Sequence, residues 1–554
     1  MSASKPQKSS SVRIGHSLNT NEEEFVNRRK DILLKCLETL DIKCSQVPKI
    51  ALLGSGGGER AMVGLLGSLD QLGKAGLLDC FLYLCGVSGS TWCMASLYQE
   101  PDWSSNLETV KQKIVQRLSG RGVSWSEAFS KLKTYYYEKD IFSLTDAWAV
   151  MVITSYVKEI DEHKLSEWNS KNSKDPYPIY TVIDKRCKQH KEADPWFEIT
   201  PHEAGYSLIG AFVDISGFGS QFENGSKNKN QPEIDMLYLQ ALCGSALADE
   251  DEISKFLWEK LKEFFHHSKS SNVFEEMQKD PGSPPVHIGY QVLMDLMDMN
   301  LSVLDGIDPS PYDTDIREKL AELSGGKSQL IFDVGTLDIT DKAAAKVYMK
   351  QYTKGVCNYA KRWFSFWPYD CWTSICKCMV GSIWGRNYNF LHNTTDGSVP
   401  SVLQSSEKRD YEDAGLLLNS PFISVLREER DVNLIISLDF SEGDPFLTVT
   451  EAAKKCEERN IPFPRIIPPS EDSTNPKDFY VFEGKGNAPT VIHIPLFNTV
   501  NCGDKLEEMR KKYKTFQGSY SEEMINELME LAGKNITNNK EKLLEWIRKA
   551  ANEP

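Results

Sequence analysis

The chain has 554 residues, 26% of them charged and 40% hydrophobic, enough to bury a large core in one big domain or two. A net charge of −15 argues against a nucleic-acid partner, because a phosphate backbone calls for an excess of Lys and Arg, and against simple electrostatic adsorption to an anionic leaflet. No apolar run approaches the ~18 residues of a membrane span, the start is polar rather than signal-like, and thirteen cysteines without paired CxxC spacing fit reduced thiols, so a cytoplasmic location is expected.

Residues 1–45 read as a Ser- and Lys-rich polar lead followed by an amphipathic helix over 22–40, with Phe25, Ile32, Leu33, Cys36 and Leu37 on one side. Residues 46–554 are expected to form a single domain. Its first strand pattern is Pro-Lys-Ile-Ala-Leu-Leu-Gly over 48–54, running into glycines and then into helical spacing over 60–72. A second apolar strand is predicted over 78–85, again followed by a Gly/Ser turn and a helix from Thr91. Two strand, turn, helix units in succession predict an α/β fold with a parallel sheet. Further strands are predicted over 179–183, 329–332, 433–438 and 490–494, so the sheet gathers segments far apart in the chain. The polar stretches 221–231, 267–285 and 305–327 read as mobile connections or insertions.

Gly86-Val87-Ser88-Gly89-Ser90 stands directly after a predicted strand and before a predicted helix. That is the context of a nucleophile elbow, in which small neighbours let a tight turn lift a serine above the sheet. Ser90 occupies the fifth position, where the G-x-S-x-G pattern has glycine, and an ordinary Gly/Ser turn is the plainer reading of the pentapeptide. The segment from Gly54 to Arg60, Gly-Ser-Gly-Gly-Gly-Glu-Arg, lies in the same kind of position. It lacks the Gly-Lys-Ser/Thr of a P-loop and carries Glu59 where a dinucleotide fingerprint needs glycine. Consecutive glycines at a helix N-terminus bare backbone N–H groups that suit the oxygen of a tetrahedral intermediate, each worth ~2.7–4 kcal/mol. Arg60 offers a bidentate phosphate ligand. Tight packing of helix on strand explains the same glycines. For the base that would serve Ser88, two candidates remain open on the residues alone. His493, in Val491-Ile-His-Ile-Pro495, is the best placed of the histidines that follow Ser88 but has the neighbours of a strand interior. Asp413, in Tyr411-Glu-Asp-Ala-Gly415, lies at a turn where a carboxylate can project from a sheet edge.

Ser-Gly-Gly-Gly-x-Arg (55–60), Gly-x-Ser-Gly-Ser (86–90) and Asp-Ala-Gly (413–415), in this order, resemble the catalytic domain of the cytosolic phospholipase A2 family. Similarity extends to Pro176-Tyr-Pro-Ile-Tyr180, the run from Trp196 to Gly205, Phe218-Gly-Ser220, the run from Trp384 to Leu391 and the run from Asn433 to Ser441. The resemblance implies a three-layer, patatin-like α/β fold with a central, mostly parallel sheet, a nucleophile elbow and inserted cap or lid segments. It also implies phospholipase A2 and lysophospholipase chemistry on glycerophospholipids through a Ser–Asp dyad without histidine. Residue by residue it implies Ser88 as nucleophile, Asp413 as base, Gly57 and Gly58 as the oxyanion hole and Arg60 as ligand of the substrate phosphate. Arg430 takes the place of an arginine that supports the site, and no metal and no cofactor are implied.

Three departures stand out. Glu59 replaces a commonly apolar residue, and Asp-Ala-Gly replaces the commoner Asp-Gly-Gly. The short stretch before the glycine loop is expected to leave no room for a calcium-binding β-sandwich, which resembles the calcium-independent branch of the family. The end, Ala551-Asn-Glu-Pro554, carries no prenylation box. A non-catalytic lipid-binding scaffold would require loss of these residues, and a Ser-His-Asp esterase would require His493 as base. Peripheral contact with a phospholipid surface is expected from residues 363–372. Trp363, Trp367 and Trp372 are interleaved there and nearby with Lys361, Arg362, Lys377 and Arg386, whereas Trp384 and Tyr388 read as core. Cys376 and Cys378 offer palmitoyl acceptors, with buried thiols as the plainer reading.

Overall fold

The computed structural model describes residues 12–170, 173–245, 250–268, 285–326, 337–515 and 517–552. They divide into two compact units, the first drawn from Met1–Gly122, Ser155–Ala246 and Asn387–Pro554, the second from Val123–Thr154 and Leu247–Arg386.

The first unit is built on a large sheet. Its early strands are β1 (Arg13–Ile14), β2 (Ile50–Gly54), β3 (Tyr83–Gly86), β4 (Tyr177–Asp184), β5 (Trp196–Ile199), β6 (Glu203–Tyr206) and β7 (Ala211–Asp214). A separate hairpin, β8 (Gln221–Glu223) and β9 (Ser226–Lys229), follows, then β10 (Arg386–Tyr388), β11 (Lys408–Asp413), β12 (Leu434–Asp439), β13 (Tyr480–Phe482) and β14 (Thr490–Pro495). The strand order is β1-β7-β6-β5-β4-β3-β2-β12-β14-β13, with β11 added along β4. The five strands from β4 to β14 run parallel, and antiparallel strands extend the sheet on both sides. All five residues of β2 and all four of β3 are buried, as parallel strands covered on both faces require. Helices Gly58–Lys74 and Gly89–Tyr98 follow β2 and β3 directly. The first packs closely on helix Glu522–Thr537, and a Cβ at Gly67 would come within 2.5 Å of the Met529 carbonyl oxygen.

The predicted first helix forms over Thr20–Thr39, its N-terminus capped by the Asn19 side chain. The predicted strand over 78–85 forms only from Tyr83. Buried Arg29 takes the carbonyls of Leu78 and Phe81, at 3.4 and 2.5 Å, and so removes that segment from the sheet ladder. The stretch 221–231, expected to be a connection, is mostly the β8–β9 hairpin, which turns at Asn224-Gly225 with both residues at positive φ. The stretch 305–327 contains helix Ser310–Leu323, with Pro at its start and Ile316 and Leu320 buried one turn apart. The strand predicted over 329–332 and most of 267–285 lie outside the described residues.

The second unit is helical, with Trp125–Glu138, Glu250–Ser268, Val286–Leu304, Lys342–Ala360 and Tyr369–Gly381 among its elements. Aromatic rings fill its interior, with Phe129 on Phe264 at 4.4 Å and Phe265 on Trp372 at 5.4 Å between centroids. Residues 361–368 link two helices. Trp363 is 37% exposed and Trp367 half-buried, whereas Trp372, expected in the same exposed loop, is a core ring of the following helix. Cys376 and Cys378 are buried. No helix among the described residues is long and apolar enough to cross a membrane.

Candidate active site

Three segments meet beyond the C-terminal ends of the parallel strands, where open α/β sheets place their sites. The first is the elbow after β3. Ser88 has φ 51° and ψ −124°, a positive-φ conformation that costs a non-glycine residue on the order of 1–3 kcal/mol. The turn is held by Val87 N–H donating to the Gly54 carbonyl at 3.1 Å and Thr91 N–H donating to the Ser88 carbonyl at 2.9 Å. Ser90, the departure from the glycine pattern, has a structural use. Its hydroxyl donates to the Ser55 carbonyl at 2.6 Å and ties the elbow to the glycine loop.

The second segment is that loop. Gly57 and Gly58 have φ of 153° and 57°, conformations that favour glycine, and helix Gly58–Lys74 starts here, so the first N–H groups have no acceptor within the helix. Loop and elbow are in direct contact. A Cβ at Gly89 would lie 1.8 Å from the Gly58 carbonyl oxygen, and one at Gly56 would lie 2.9 Å from the Ser88 Cβ.

The third segment ends in Asp413. β3 pairs with β4 from Tyr83 opposite Tyr177 to Gly86 opposite Tyr180, and β11 pairs with β4 from Tyr411 opposite Asp184 to Asp413 opposite Val182. Val182 and Ile183 are at the same time paired with β5, so β11 lies on the edge of β4 that β3 occupies lower down. β3 runs parallel to β4 and β11 antiparallel, so their C-terminal ends converge on the short gap at Thr181. The Thr181 hydroxyl fills that gap by donating to the Gly86 carbonyl at 2.8 Å. This sets the β3 elbow that carries Ser88 and the β11 terminus that carries Asp413 at neighbouring positions on one edge of β4. Asp413 is fully buried, and its Oδ1 accepts from Gly415 N–H at 2.8 Å. The nearby Cys243 thiol is pushed well up in pKa by burial, then by the Asp413 charge.

The other residues singled out by sequence take different places. His493 lies on β14 opposite Ser437 of β12, three strand spacings from β3, or about 14 Å. It is buried, with Nε2 2.6 Å from the Pro445 carbonyl. Arg60 is 1% exposed. Its Nε donates to the Phe440 carbonyl and its Nη1 to the Tyr513 carbonyl, each at 2.7 Å, while Nη1 also reaches the Glu442 carboxylate at 3.4 Å. Its Nη2 lies 2.9 Å from where a Gly57 Cβ would stand, so the guanidinium supports the glycine loop from below. Arg430 is buried against Glu22 and Glu198, at 2.8 and 2.9 Å, with its guanidinium over the Tyr83 ring of β3. Burial would raise the Glu198 pKa, but Arg430 and Arg427 outweigh it and hold that carboxyl down at about 2.

Glu59 is buried at the start of the helix that follows the loop. Its Oε2 accepts from Tyr520 N–H at 3.0 Å, and its Oε1 is buried without a hydrogen-bond partner among the described residues. Desolvation raises its pKa to about 7, with the Tyr520 hydrogen bond and the Lys158 charge opposing. Sequence reasoning missed Asn419, which joins all three segments. Only its sequence distance from Asp413 hinted at a role. No group of three or more His, Cys, Asp or Glu side chains among the described residues is arranged to hold a metal ion.

Comparison with known proteins agrees with this architecture. Residues 50–281 match a family described as the lysophospholipase catalytic domain. The chain is 32% identical to mouse (Mus musculus) cytosolic phospholipase A2 gamma over 566 residues, covering 96% of this chain and 91% of the relative. It is 32% identical to the human (Homo sapiens) protein of the same name over 579 residues, covering 98% and 97%. The solved structure of human GIVD cytosolic phospholipase A2 superposes with a TM-score of 0.67 at 23% identity, over 99% of this chain and 69% of that one, and so shares the fold. The chain belongs to the cytosolic phospholipase A2 family.

Proposed function

We propose that this protein hydrolyses the fatty-acyl esters of glycerophospholipids and lysophospholipids, with Ser88 as nucleophile and Asp413 as base. The observation that carries the reading is the convergence of the β3 elbow and the β11 terminus on one edge of β4, with the glycine loop packed against Ser88. In the forward step the Ser88 hydroxyl attacks the acyl carbonyl and passes its proton to Asp413, while the N–H groups of Gly57 and Gly58 hold the oxygen that becomes negative. The ester C–O bond then breaks, and the departing alcohol of the lipid takes the proton from Asp413. Water then attacks the acyl-enzyme with Asp413 again as base, the bond between Ser88 Oγ and the acyl carbon breaks, and Asp413 returns the proton to Ser88 Oγ as the fatty acid leaves.

An aspartate is a weak base for a serine hydroxyl. The preorganised donors and the buried surroundings of Asp413 must therefore supply much of the rate. Arg60 is the proposed ligand of the lipid phosphate, which would compete with the half-exposed Glu442 carboxylate for the Nη1 edge. The enzyme is proposed to be cytoplasmic and calcium-independent, reaching its substrate through peripheral membrane contact at Trp363 and Trp367. Phosphatidylcholine labelled separately at its two acyl positions, incubated in a calcium chelator with wild type and Ser88→Ala, tests the reading. Wild type should release labelled fatty acid and react with a fluorophosphonate, and the variant should do neither. Release that persists in Ser88→Ala, or that requires calcium, would overturn it.

A further inference from the structure

We infer that Asn419 is a positioning residue of this active site, holding the glycine loop and the Asp413 turn in register with Ser88. The inference rests on the phospholipase reading above. Asn419 stands at the junction of the three segments. Its backbone carbonyl accepts from Gly56 N–H at 3.1 Å, and its Nδ2 donates back to the Gly56 carbonyl at 3.2 Å, so one residue grips both polar groups of the glycine loop at that point. The same Nδ2 donates to the Ser441 hydroxyl at 3.0 Å, which anchors the grip to the segment following β12.

Its Oδ1 faces the dyad. A Cβ at Gly56 would lie 2.4 Å from this oxygen and 2.9 Å from the Ser88 Cβ, so the absent side chain of Gly56 leaves the space through which Asn419 approaches the nucleophile. On the other side, a Cβ at Gly415 would lie 2.9 Å from Asn419 Oδ1 and 3.0 Å from Asp413 Oδ1. Both oxygens therefore lie close to a single point, and a charge on one is felt by the other. An asparagine suits this place because its Nδ2 donates to the loop while its uncharged Oδ1 stands near Asp413 without adding a charge there.

Two variants of the full chain test the inference, each followed by steady-state hydrolysis, rate of fluorophosphonate labelling and thermal melting. Asn419→Ala should lower kcat and the labelling rate together by roughly 100-fold, the scale of an ångström-level misplacement, with little change in KM or melting temperature. Asn419→Asp keeps the shape, removes the two donated hydrogen bonds and sets a second carboxylate beside Asp413. The two acids then titrate as a pair, so the acidic limb of its pH–rate profile should broaden and extend to higher pH by about one unit. A residue that only stabilises the fold would lower the melting temperature, leave the folded fraction labelling at the wild-type rate and leave the acidic limb in place. Any of these three results would overturn the inference. An active, labelled wild type with unaffected variants would overturn this inference alone, whereas a wild type whose Ser88 takes no label would overturn the phospholipase reading with it.

Discussion

Glu59 gives a prediction whose sign and size follow from its surroundings. Its carboxyl is buried beside the glycine loop, with Tyr520 N–H on one oxygen and no hydrogen-bond partner on the other among the described residues. Desolvation lifts its pKa from 4.5 to about 7, against the opposing pull of the Tyr520 hydrogen bond and the Lys158 charge. A raised folded-state value means that the protonated form is the one the fold favours. The stability this group contributes is therefore fully present below about pH 4.5 and is lost as pH rises through about 7. At about 1.4 kcal/mol per pKa unit, the loss amounts to about 3 kcal/mol. Glutamine has the shape of the protonated acid and does not titrate. Whatever constant offset Glu59→Gln introduces, its stability relative to wild type should improve by about 3 kcal/mol between pH 4.5 and pH 8.5. Equilibrium urea unfolding of both proteins across this range measures the difference. Parallel stability curves would refute the reasoning, since they would mean that the carboxyl titrates alike in the folded and unfolded chain.

Asp413→Asn should lower kcat by ~1,000-fold, whereas His493→Gln should keep turnover within about threefold of wild type, the opposite of what a Ser-His-Asp triad requires. Paired kcat measurements on a soluble ester decide between them. Gly89→Ala sets a Cβ 1.8 Å from the Gly58 carbonyl oxygen, which forces loop and elbow apart. Its kcat should fall roughly 100-fold with Ser88 still in place, and an unchanged kcat would show that the two segments move freely. Replacing exposed Trp363 and half-buried Trp367 together with alanine should weaken binding to zwitterionic vesicles roughly tenfold while sparing hydrolysis of a soluble ester. Equal loss on both substrates would show that the rings serve the fold.

Several features were legible in the sequence because their causes are local. Strand β2 with its glycines and strand β3 with its elbow each fit within a dozen residues, where apolar runs and small side chains state the backbone path directly. The β8–β9 hairpin, inside a stretch that reads as a polar connection, has an equally local cause in Asn224-Gly225. The base for Ser88 was not legible in this way. His493 and Asp413 both fit by type and chain order, and only the sheet order shows how differently they are placed relative to Ser88. β14 carries His493 three strands away, while β11 delivers Asp413 to the edge of β4 where β3 ends. Arg60 and Glu59 show the same limit from the other side. Their residue types carried no sign of the partners they take, the carbonyls of Phe440 and Tyr513 for Arg60 and the Tyr520 N–H for Glu59. Asn419 had no motif at all, because its role comes from three loops that meet only when the sheet is assembled. Backbone pattern is set by neighbours along the chain, whereas the partner of a polar side chain is set by whatever the assembled sheet brings within about 3 Å of it.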